Sequence, residues 1–410
     1  MSEFFTLNRN LQLRIVMVFL SVLLGSTVGP NMTIYYVRYF GAFWTGLLLL
    51  VVSVAGFLAG LYGGHMADIW GRKRTMMVGS AGIVGGYALA MLMNSPLFVN
   101  PYVTFFGFLL TTVGYGFADP AEEAMLIDVS TPQNRQFIYA LIYWIINVGV
   151  MIGAALGGWF FRDYLFELLL ALVIGALVNL SIIIFLVSET FPKEKRPTHS
   201  PSVWSAVKSY RNVLRDRRYV VFSLGMIGAT IIFSQADYYL PAHLAESFHS
   251  TTLFGVSIYG QRMLSVMTLT NTVMVILLMG VIGKITRELP LRRTLAVGLL
   301  MQGGGFALAF LLNDWAPLLA AAVILTMGEI IGVPANQTLR ADLMNPKQIG
   351  TYSGFSAAMR PIGMIIASLL VSLSPFLKNY GVALVLVLLT IGAVYLLLRA
   401  EAMPAYEEEV

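Results

Sequence analysis

The sequence predicts an all-α integral membrane protein with twelve transmembrane helices in two pseudo-symmetric six-helix bundles. Three observations predict this fold class: the composition, the recurrence of apolar stretches long enough to span a bilayer, and the similarity of the two halves. Of 410 residues, 58% are hydrophobic and 11% are charged, whereas about a quarter of the residues are charged in an average soluble domain. Such a composition is typical of a chain that lies largely within a bilayer.

A hydrocarbon core about 30 Å thick requires about 20 helical residues, because each residue adds about 1.5 Å. Apolar stretches of this length follow one another along the chain. The run "LALVIGALVNLSIIIFLV" is apolar on all sides and lacks the alternation of a membrane β-strand. The twelve predicted helices cover residues 12–36, 43–67, 75–93, 100–126, 137–160, 164–188, 219–245, 258–283, 292–312, 315–339, 350–374 and 379–399.

The basic residues predict the orientation of these helices. Of 26 Lys and Arg residues, 21 fall on the side of the N-terminus, three fall on the opposite side, and Arg262 and Arg360 lie inside predicted helices. Positive charge is retained in the cytoplasm during insertion, so we expect both termini there. No cleavable signal sequence is expected, because no small-residue cleavage site follows the first basic residues. The basic composition reflects topology, and we expect membrane lipids rather than nucleic acid as partners.

The chain is predicted to contain an N-terminal bundle at 1–188, a cytoplasmic linker at 189–218 and a C-terminal bundle at 219–410. Part of the linker has an apolar stripe at helical spacing with a basic flank. An interfacial helix on anionic lipid and a solvated basic linker both fit this pattern. The apolar stripe comprises Val203, Val207, Tyr210 and Leu214, and the basic flank comprises Lys208, Arg211, Arg215 and Arg218.

The two halves align with each other as an internal repeat. Duplicated six-helix units are typical of secondary transporters, whose substrates bind near the mid-plane where the repeats meet. A shift of 219 residues places Gly64 on Gly283, Thr75 on Thr294 and Gly79 on Gly298, and a shift of 214 places Gly114 on Gly328, Pro120 on Pro334 and Asp128 on Asp342.

A dense charge cluster interrupts the apolar sequence at 63–79, "GGHMADIWGRKRTMMVG". Its pattern G-x-x-x-D-x-x-G-R-K-R resembles the signature loop between helices 2 and 3 of the major facilitator superfamily. The resemblance implies a latch between the two bundles on the cytoplasmic side, with Asp128 and Arg360 as candidate partners. A plain inner-surface anchor would explain the cations but not the acid or the turn glycine. The motif residues are Gly64, Asp68, Gly71, Arg72, Lys73 and Arg74.

The stretch "GVMIGAALGG" in predicted helix 5 is similar to the glycine-rich motif of the drug/proton antiporter branch, with Ala154 in place of the usual proline. Small residues here also permit close helix packing in a protein of any function. In helix 4, Leu110 replaces the arginine of a third family motif, so no proton-coupling role rests on that position. The motif glycines are Gly149, Gly153, Gly157 and Gly158.

Further stretches, among them "LNRNLQLR", "IYGQRML" and "ADLMNPKQIGTYSG", resemble LmrP-type multidrug/proton antiporters. The resemblance implies an exporter of lipophilic, often cationic compounds in the plasma membrane of a bacterium, where it confers antibiotic resistance. Those relatives carry a carboxylate early in helix 5, at the position of Ile142 in this sequence.

Ionisable residues inside membrane helices are costly and are therefore functional candidates. Glu329 lies fourteen residues into predicted helix 10, about 21 Å from its outer end by helical rise. A carboxylate at this depth can hold a proton or attract a cationic substrate, although a structural hydrogen bond is the alternative. Asp237 lies in helix 7 within "FSQADYYLP", whose aromatic rings suit flat or cationic drugs or form an interfacial belt.

Besides Asp128, the stretch "GYGFADPAEEAMLID" at predicted helix 4 contains three further acids, of which Glu123 is off the shared face and is expected to pair with the basic loops. Tyr115 takes the repeat position of Glu329, and Asp119 and Glu122 follow it on the same helical face. We expect Glu122, assisted by Asp119, to supply the proton-handling group that Ile142 cannot. Alternatively, both acids line the cytoplasmic mouth and pair with nearby cations.

The sequence predicts a transporter and not an enzyme. It has no phosphate-binding Walker loop, and its four histidines lack metal-ligand spacing, so we expect no metal or cofactor and a proton gradient as the energy source. The preferred function is multidrug/H⁺ antiport by alternating access, in a monomer whose other partners are protons, lipids and lipophilic or cationic small molecules. The alternatives are proton-coupled uptake of a small nutrient and, with less support, a non-transporting membrane sensor.

Overall fold

The computed structural model describes residues 7–191, 211, 213–253, 255–344 and 349–404. Eight of the helices in these ranges are long and apolar enough to cross a membrane. The helices are α1 (Arg9–Trp70), α2 (Arg72–Leu92), α3 (Pro101–Val129), α4 (Pro132–Phe160), α5 (Leu165–Phe185), α6 (Arg217–Ser234), α7 (Tyr239–Ser247), α8 (Gly260–Arg287), α9 (Leu291–Ala309), α10 (Trp315–Leu343) and α11 (Ile349–Ala402).

Two short antiparallel hairpins connect helices. The strands β1 (Asn94–Ser95) and β2 (Phe98–Val99) join α2 to α3, with Asn94 opposite Val99. The strands β3 (Thr251–Leu253) and β4 (Val256–Ile258) join α7 to α8, with Thr251 opposite Ile258.

Each of the twelve predicted windows coincides with helical structure to within a few residues. The two longest helices each contain two windows separated by a sharp turn. The turn in α1 is at Gly41, where φ is 74°, and the turn in α11 is at Lys378, where φ is 55°. These are left-handed conformations, which glycine adopts without steric cost and other residues seldom adopt. The count of twelve helices fits this arrangement.

The window at 219–245 differs from prediction, because it forms two helices, α6 and α7, instead of one. Pro241 has no N–H to donate to the carbonyl oxygen of Asp237, four residues earlier, and its ring would collide with that carbonyl group. The Asp237 carbonyl instead accepts a hydrogen bond of 2.8 Å from the Thr33 hydroxyl. The break therefore follows from one proline within an otherwise apolar stretch.

The chain divides into two compact units. The first comprises residues 1–29 and 51–203, and the second comprises residues 30–50 and 204–410. The predicted bundle boundaries at 188 and 219 stay predictions. Most of the proposed interfacial helix, including Val203, Val207, Lys208 and Tyr210, lies outside the described residues. Leu214, the last residue of its apolar stripe, is exposed.

The internal repeat is visible in the helix packing of each unit. In the first unit a Cβ atom on Gly114 would lie 2.7 Å from the carbonyl oxygen of Gly79. In the second unit a Cβ atom on Gly328 would lie 2.6 Å from the carbonyl oxygen of Gly298. These four glycines are the pairs matched by the sequence repeat, so each unit uses the same backbone contact to pack two consecutive helices.

Each unit has an apolar core, and the helices also present apolar side chains outward. A cluster including Met17, Met76 and Met125 lies in the first unit, and one including Phe222 and Phe306 lies in the second. Contiguous exposed apolar surface is rare on soluble proteins, so the outward faces are suited to lipid. Examples of exposed large side chains are Leu58, Phe106, Ile174, Phe185, Leu277, Leu388 and Tyr395.

Candidate functional site

The signature loop forms a compact polar cluster in the first unit. Gly71 separates α1 from α2 in a conformation with φ of 93°, which requires a glycine. The buried Arg72 guanidinium donates to Asp68 at 2.8 Å, to Asp128 at 3.3 Å and to the Ala67 carbonyl oxygen at 2.9 Å. Arg72 therefore joins the end of α1 to the end of α3.

Two further members of this cluster were not predicted from the sequence. The Glu189 carboxylate accepts from the backbone N–H groups of Arg72 and Lys73, at 3.0 and 3.3 Å. A carboxylate at a helix N-terminus satisfies unpaired donors and interacts favourably with the helix dipole. The Phe191 ring lies 4.2 Å from the Arg72 guanidinium carbon. Their signal was their position, immediately after the last predicted helix of the first half.

The remaining motif residues are placed as follows. Lys73 donates through Nζ to the Ile184 carbonyl oxygen at 2.8 Å, and the Arg74 guanidinium lies over the Trp70 ring at 5.1 Å. Gly64 faces Pro120, with 3.6 Å between the position of a Cβ on the glycine and the proline Cβ. Pairing of the loop with Arg360 stays a prediction.

The glycine-rich motif of α4 packs against α1. A Cβ on Gly149 would lie 3.1 Å from a Val22 methyl carbon, and one on Gly153 would lie 2.8 Å from the Ser26 Cβ and against the Leu23 carbonyl oxygen. Gly157 and Gly158 are buried. The motif therefore permits close contact of two helices, which is the structural role expected for it whatever is transported.

The acids of α3 share one face, as their spacing predicts. Both Asp119 and Glu122 lie close enough to Tyr115 for electrostatic interaction. Glu122 forms an ion pair with Arg14 of α1, and the two side chains are largely shielded from solvent. Glu123 lies off this face and accepts a hydrogen bond of 3.0 Å from the Tyr139 hydroxyl.

Ile142 lies beside this region, on α4. It packs at the edge of an apolar cluster formed by Leu11, Leu126 and Ile138. Leu126, a member of this cluster, is one helical turn from Glu122 on α3. An acid at position 142 would therefore be placed at the edge of the cluster that contains Leu126.

Glu329 lies in a cavity of about 110 Å³ within the second unit. Its Oε2 accepts a hydrogen bond of 2.8 Å from Asn271 Nδ2. The same nitrogen lies 3.2 Å from Thr326 Oγ1, whose hydrogen is donated to the Ala322 carbonyl oxygen. Thr326 can therefore only accept from Asn271, and the orientation of the amide is fixed by two acceptors.

The rest of this cavity is mostly apolar and aromatic. Its wall comprises Phe233, Ala236, Leu240, Leu264, Met267, Thr268, Gln302, Phe306, Ala322 and Leu325. Asn271 and Gln302 were not singled out in the sequence, although both are amides within apolar helices. A single half-buried carboxylate with one amide donor, in an apolar wall, can exchange a proton for a cationic group with little competition from other charges.

Asp237 is placed differently from Glu329. It lies in the break between α6 and α7, is exposed, and interacts electrostatically with Arg360 in the same unit. Of the aromatic residues near it in sequence, Phe233 lines the Glu329 cavity, whereas Tyr238 and Tyr239 are buried in the core. The proposed aromatic drug surface therefore contains Phe233 but not the two tyrosines.

Among the described residues, no group of three or more His, Cys, Asp or Glu side chains could hold a metal ion. A buried polar cluster does lie at one end of the second unit. The Asp216 carboxylate caps α6 by accepting a hydrogen bond of 3.0 Å from the Tyr219 N–H. It also accepts a hydrogen bond of 2.9 Å from the Tyr352 hydroxyl. These two contacts join α6 to α11.

Comparison with known proteins decides the family. The Major Facilitator Superfamily profile matches residues 15–368. The chain belongs to the major facilitator superfamily. It is thus a multi-pass membrane transporter, not an enzyme.

Two kinds of superfamily relative match most of the chain. A protein of Planococcus maritimus named "Na(+), Li(+), K(+)/H(+) antiporter" is 29% identical, over 88% of each chain. "Multidrug resistance protein MdtH" of Photorhabdus laumondii is 24% identical, over 82% of this chain and 80% of the relative. MdtH of Escherichia coli is 25% identical, over 82% of this chain and 79% of the relative. One relative is thus named as a cation/proton antiporter, and the others are named as multidrug resistance proteins.

Solved structures of superfamily transporters share the fold. A POT family transporter in complex with 5-aminolevulinic acid superposes with a TM-score of 0.74, covering 97% of this chain and 98% of its own, at 15% identity. The human organic anion transporter MFSD10 superposes with a TM-score of 0.62, covering 95% of this chain and 99% of its own, at 17% identity. At this identity the likeness concerns the fold alone.

Proposed function

We propose that this transporter exports lipophilic, often cationic compounds in exchange for protons by alternating access. The observation that carries the proposal is the Glu329 carboxylate in its apolar and aromatic cavity, hydrogen-bonded by Asn271. The MdtH relatives support drugs as the substrate class, and the Planococcus relative supports an antiporter that exchanges protons. The proton gradient supplies the energy, with no cofactor.

The chemistry of exchange follows from competition for one carboxylate. Ionised Glu329 offers a negative charge to a cationic group in a wall that supplies little other polar contact, and cation binding to aromatic rings such as Phe233 adds to it. Protonation of Glu329 removes this attraction and releases the cation. Because one carboxylate cannot hold a proton and a cation at once, movement of one is coupled to movement of the other.

The proposal is tested by Glu329→Gln, with Glu246→Gln as the matched control, since Glu246 is an exposed carboxylate of α7 outside the cavity. We expect Glu329→Gln to abolish gradient-driven export of the monocation ethidium, because the introduced amide neither releases a proton nor carries charge. Export of the neutral dye Nile red should fall less, and the control should transport both dyes. Export is measured as dye accumulation in cells that lack their own exporters, with and without an uncoupler.

Two results would contradict this role of Glu329. Equal loss of both dyes together with poor membrane expression would indicate a structural hydrogen bond instead. Uncoupler-insensitive export by the unsubstituted protein would remove the proton gradient as the energy source.

A second candidate is exchange of alkali cations for protons, favoured by the Planococcus relative. Glu329, Asn271, Thr326 and Gln302 would be the oxygen ligands, since hard cations prefer oxygen. The observed amide orientation opposes this, because Asn271 turns its nitrogen toward Glu329. The candidate predicts Na⁺-driven proton movement in everted vesicles without drug, and the absence of such movement excludes it.

The proposed function also implies where the protein lies in the cell and what surrounds it. We place the protein in a bacterial plasma membrane with both termini in the cytoplasm, acting as a monomer in contact with lipid. Proton-coupled nutrient uptake, the alternative function, predicts substrate movement in the direction opposite to export.

A further inference from the structure

A second cavity lies in the first unit, with a lining unlike that of the Glu329 cavity. Its volume is about 360 Å³, within the range typical of small-molecule sites. Its described lining contains no carboxylate and no cationic side chain. The lining residues that matter here are Ser21, Gly25, Gly29, Tyr87, Phe108 and Tyr115.

Three hydroxyl groups of this cavity form a connected chain. The Tyr87 and Tyr115 hydroxyl oxygens lie 3.4 Å apart, and the Ser21 hydroxyl lies close enough to that of Tyr115 to interact with it. Ser21 Oγ in turn accepts a hydrogen bond of 2.7 Å from Asn179 Nδ2. The same nitrogen donates to the Met17 carbonyl oxygen at 3.5 Å, and because a carbonyl oxygen can only accept, this contact sets the orientation of the amide. Asn179 thus anchors the chain to α5.

The chain leaves one donor for a ligand. Three hydroxyl groups carry three hydrogens, and the two bonds among them use two. The neighbouring Thr111 and Thr112 donate to the carbonyl oxygens of Gly107 and Phe108, at 3.1 and 3.0 Å. One hydroxyl hydrogen therefore remains available, and a ligand with a hydrogen-bond acceptor can receive it.

The walls select a neutral, flat molecule. The Phe108 and Tyr87 rings pack edge to face, with centroids 6.0 Å apart, and aromatic groups join such pairs favourably. Burial of a charge without a partner is far more costly than burial of a carbonyl group that receives a hydrogen bond. The described lining offers no charged side chain that could neutralise a cation.

We propose that this cavity binds the neutral aromatic part of a lipophilic substrate through a carbonyl or ether oxygen, separately from the acid in the other unit. The inference rests on the proposed export function for its biological role, because it names the substrate class at one site of that transporter. It assigns Tyr87 and Tyr115 as the polar contacts and Gly25 and Gly29 as the residues whose lack of a side chain leaves the space open.

The two glycines make the cavity testable without strain. A Cβ on Gly25 or Gly29 would meet no atom within 4 Å, and the same holds for Gly304 in α9 of the other unit. Gly25→Val therefore adds a side chain to the cavity from a Cβ position that meets no other atom, and Gly304→Val is a matched control that adds the same side chain at an equally open position elsewhere. The double variant Tyr87→Phe/Tyr115→Phe keeps both rings and removes both phenol hydroxyls.

The probe is prodan, a neutral naphthalene with one carbonyl group, and its analogue 2-(dimethylamino)naphthalene lacks that carbonyl. Saturable binding to the purified full-length protein is measured by equilibrium dialysis in detergent. We expect Gly25→Val to weaken prodan binding at least tenfold and Gly304→Val to leave it unchanged. The double Tyr variant should weaken prodan roughly threefold to tenfold and leave the analogue unaffected.

Each opposite result overturns the inference. Unchanged prodan binding in Gly25→Val, or equal weakening in Gly304→Val, shows that the dye does not occupy this cavity. If the double Tyr variant weakens binding of both dyes equally, the proposed hydrogen bond to the prodan carbonyl is refuted. The thermal unfolding midpoint of each variant verifies folding. Because dialysis requires no gradient, binding without transport would contradict the proposed function alone, and transport without cavity-dependent binding would contradict this inference alone.

Discussion

The ion pair between Arg14 and Glu122 bears on both interpretations of the α3 acids. Glu122 meets a cation, as the cytoplasmic-mouth alternative expects, and it also shares a face with Asp119 and Tyr115. A shielded acid beside a permanent cation can exchange a proton when conformational change separates the pair. The geometry thus fits either role, and only coupling measurements distinguish them.

We expect Glu122→Gln to reduce the number of protons exchanged per ethidium transported, because the amide cannot titrate. Adding Ile142→Asp should restore coupling, since it introduces a titratable carboxylate on α4 at the edge of the cluster that contains Leu126. The ratio is measured in vesicles with a pH dye and ethidium fluorescence, with Glu123→Gln as the control. An unchanged ratio in both Glu122→Gln and Asp119→Asn would show that the acids only pair with cations.

Thr33 provides a second residue-level test, because its hydroxyl satisfies the carbonyl group released by Pro241. Thr33→Val removes the donor at constant shape, and we expect a loss of about 1–2 kcal/mol in unfolding free energy, visible as a lower thermal midpoint. Thr272→Val is the control, since the Thr272 hydroxyl bonds a carbonyl oxygen within its own helix. Equal midpoints for the two variants would refute this role of Thr33.

Single residues also show what could be predicted from the sequence. Glu329 was identified because an acid within an apolar helix is costly, and its cavity position supports the choice. Asn271 is its partner only through helix packing, which no local pattern reveals. The break beside Asp237 was readable from Pro241, but the apolar stretch around it favoured one helix.

At the scale of elements, the glycine pairs set how closely consecutive helices pack. Gly79 with Gly114 and Gly298 with Gly328 make the same contact in the two units. The sequence repeat aligned these residues without showing that the aligned positions touch. Local composition predicts where helices lie, whereas contact between them depends on their packing in three dimensions.

Gly328→Ala and Gly304→Ala should act in opposite directions. A methyl group on Gly328 would lie 2.6 Å from the Gly298 carbonyl oxygen. Because backbone atoms cannot move away without disturbing the helix, we expect a loss of about 1–3 kcal/mol in unfolding free energy. A methyl group on Gly304 meets nothing within 4 Å, and alanine favours the helix by up to about 1 kcal/mol. Thermal unfolding in detergent measures both. A stabilised Gly328→Ala variant would contradict the packing.

For the whole molecule, composition and the internal repeat predict a twelve-helix secondary transporter, and the loop at 63–79 adds the resemblance to the major facilitator superfamily. The family is confirmed by the match over residues 15–368. The direction of transport and the driving ion depend on the order of binding and conformational steps in a transport cycle. Neither the composition nor a single conformation specifies that order. The central claim is therefore that a proton gradient drives cationic compounds outward through the Glu329 cavity.

The most direct test uses everted vesicles from cells lacking their own exporters, with an acid interior and ethidium outside. The account predicts that ethidium accumulates inside, that an uncoupler abolishes accumulation, and that Glu329→Gln abolishes it while Glu246→Gln does not. Ethidium that stays outside despite the gradient, or that accumulates equally in the Glu329→Gln vesicles, would contradict it.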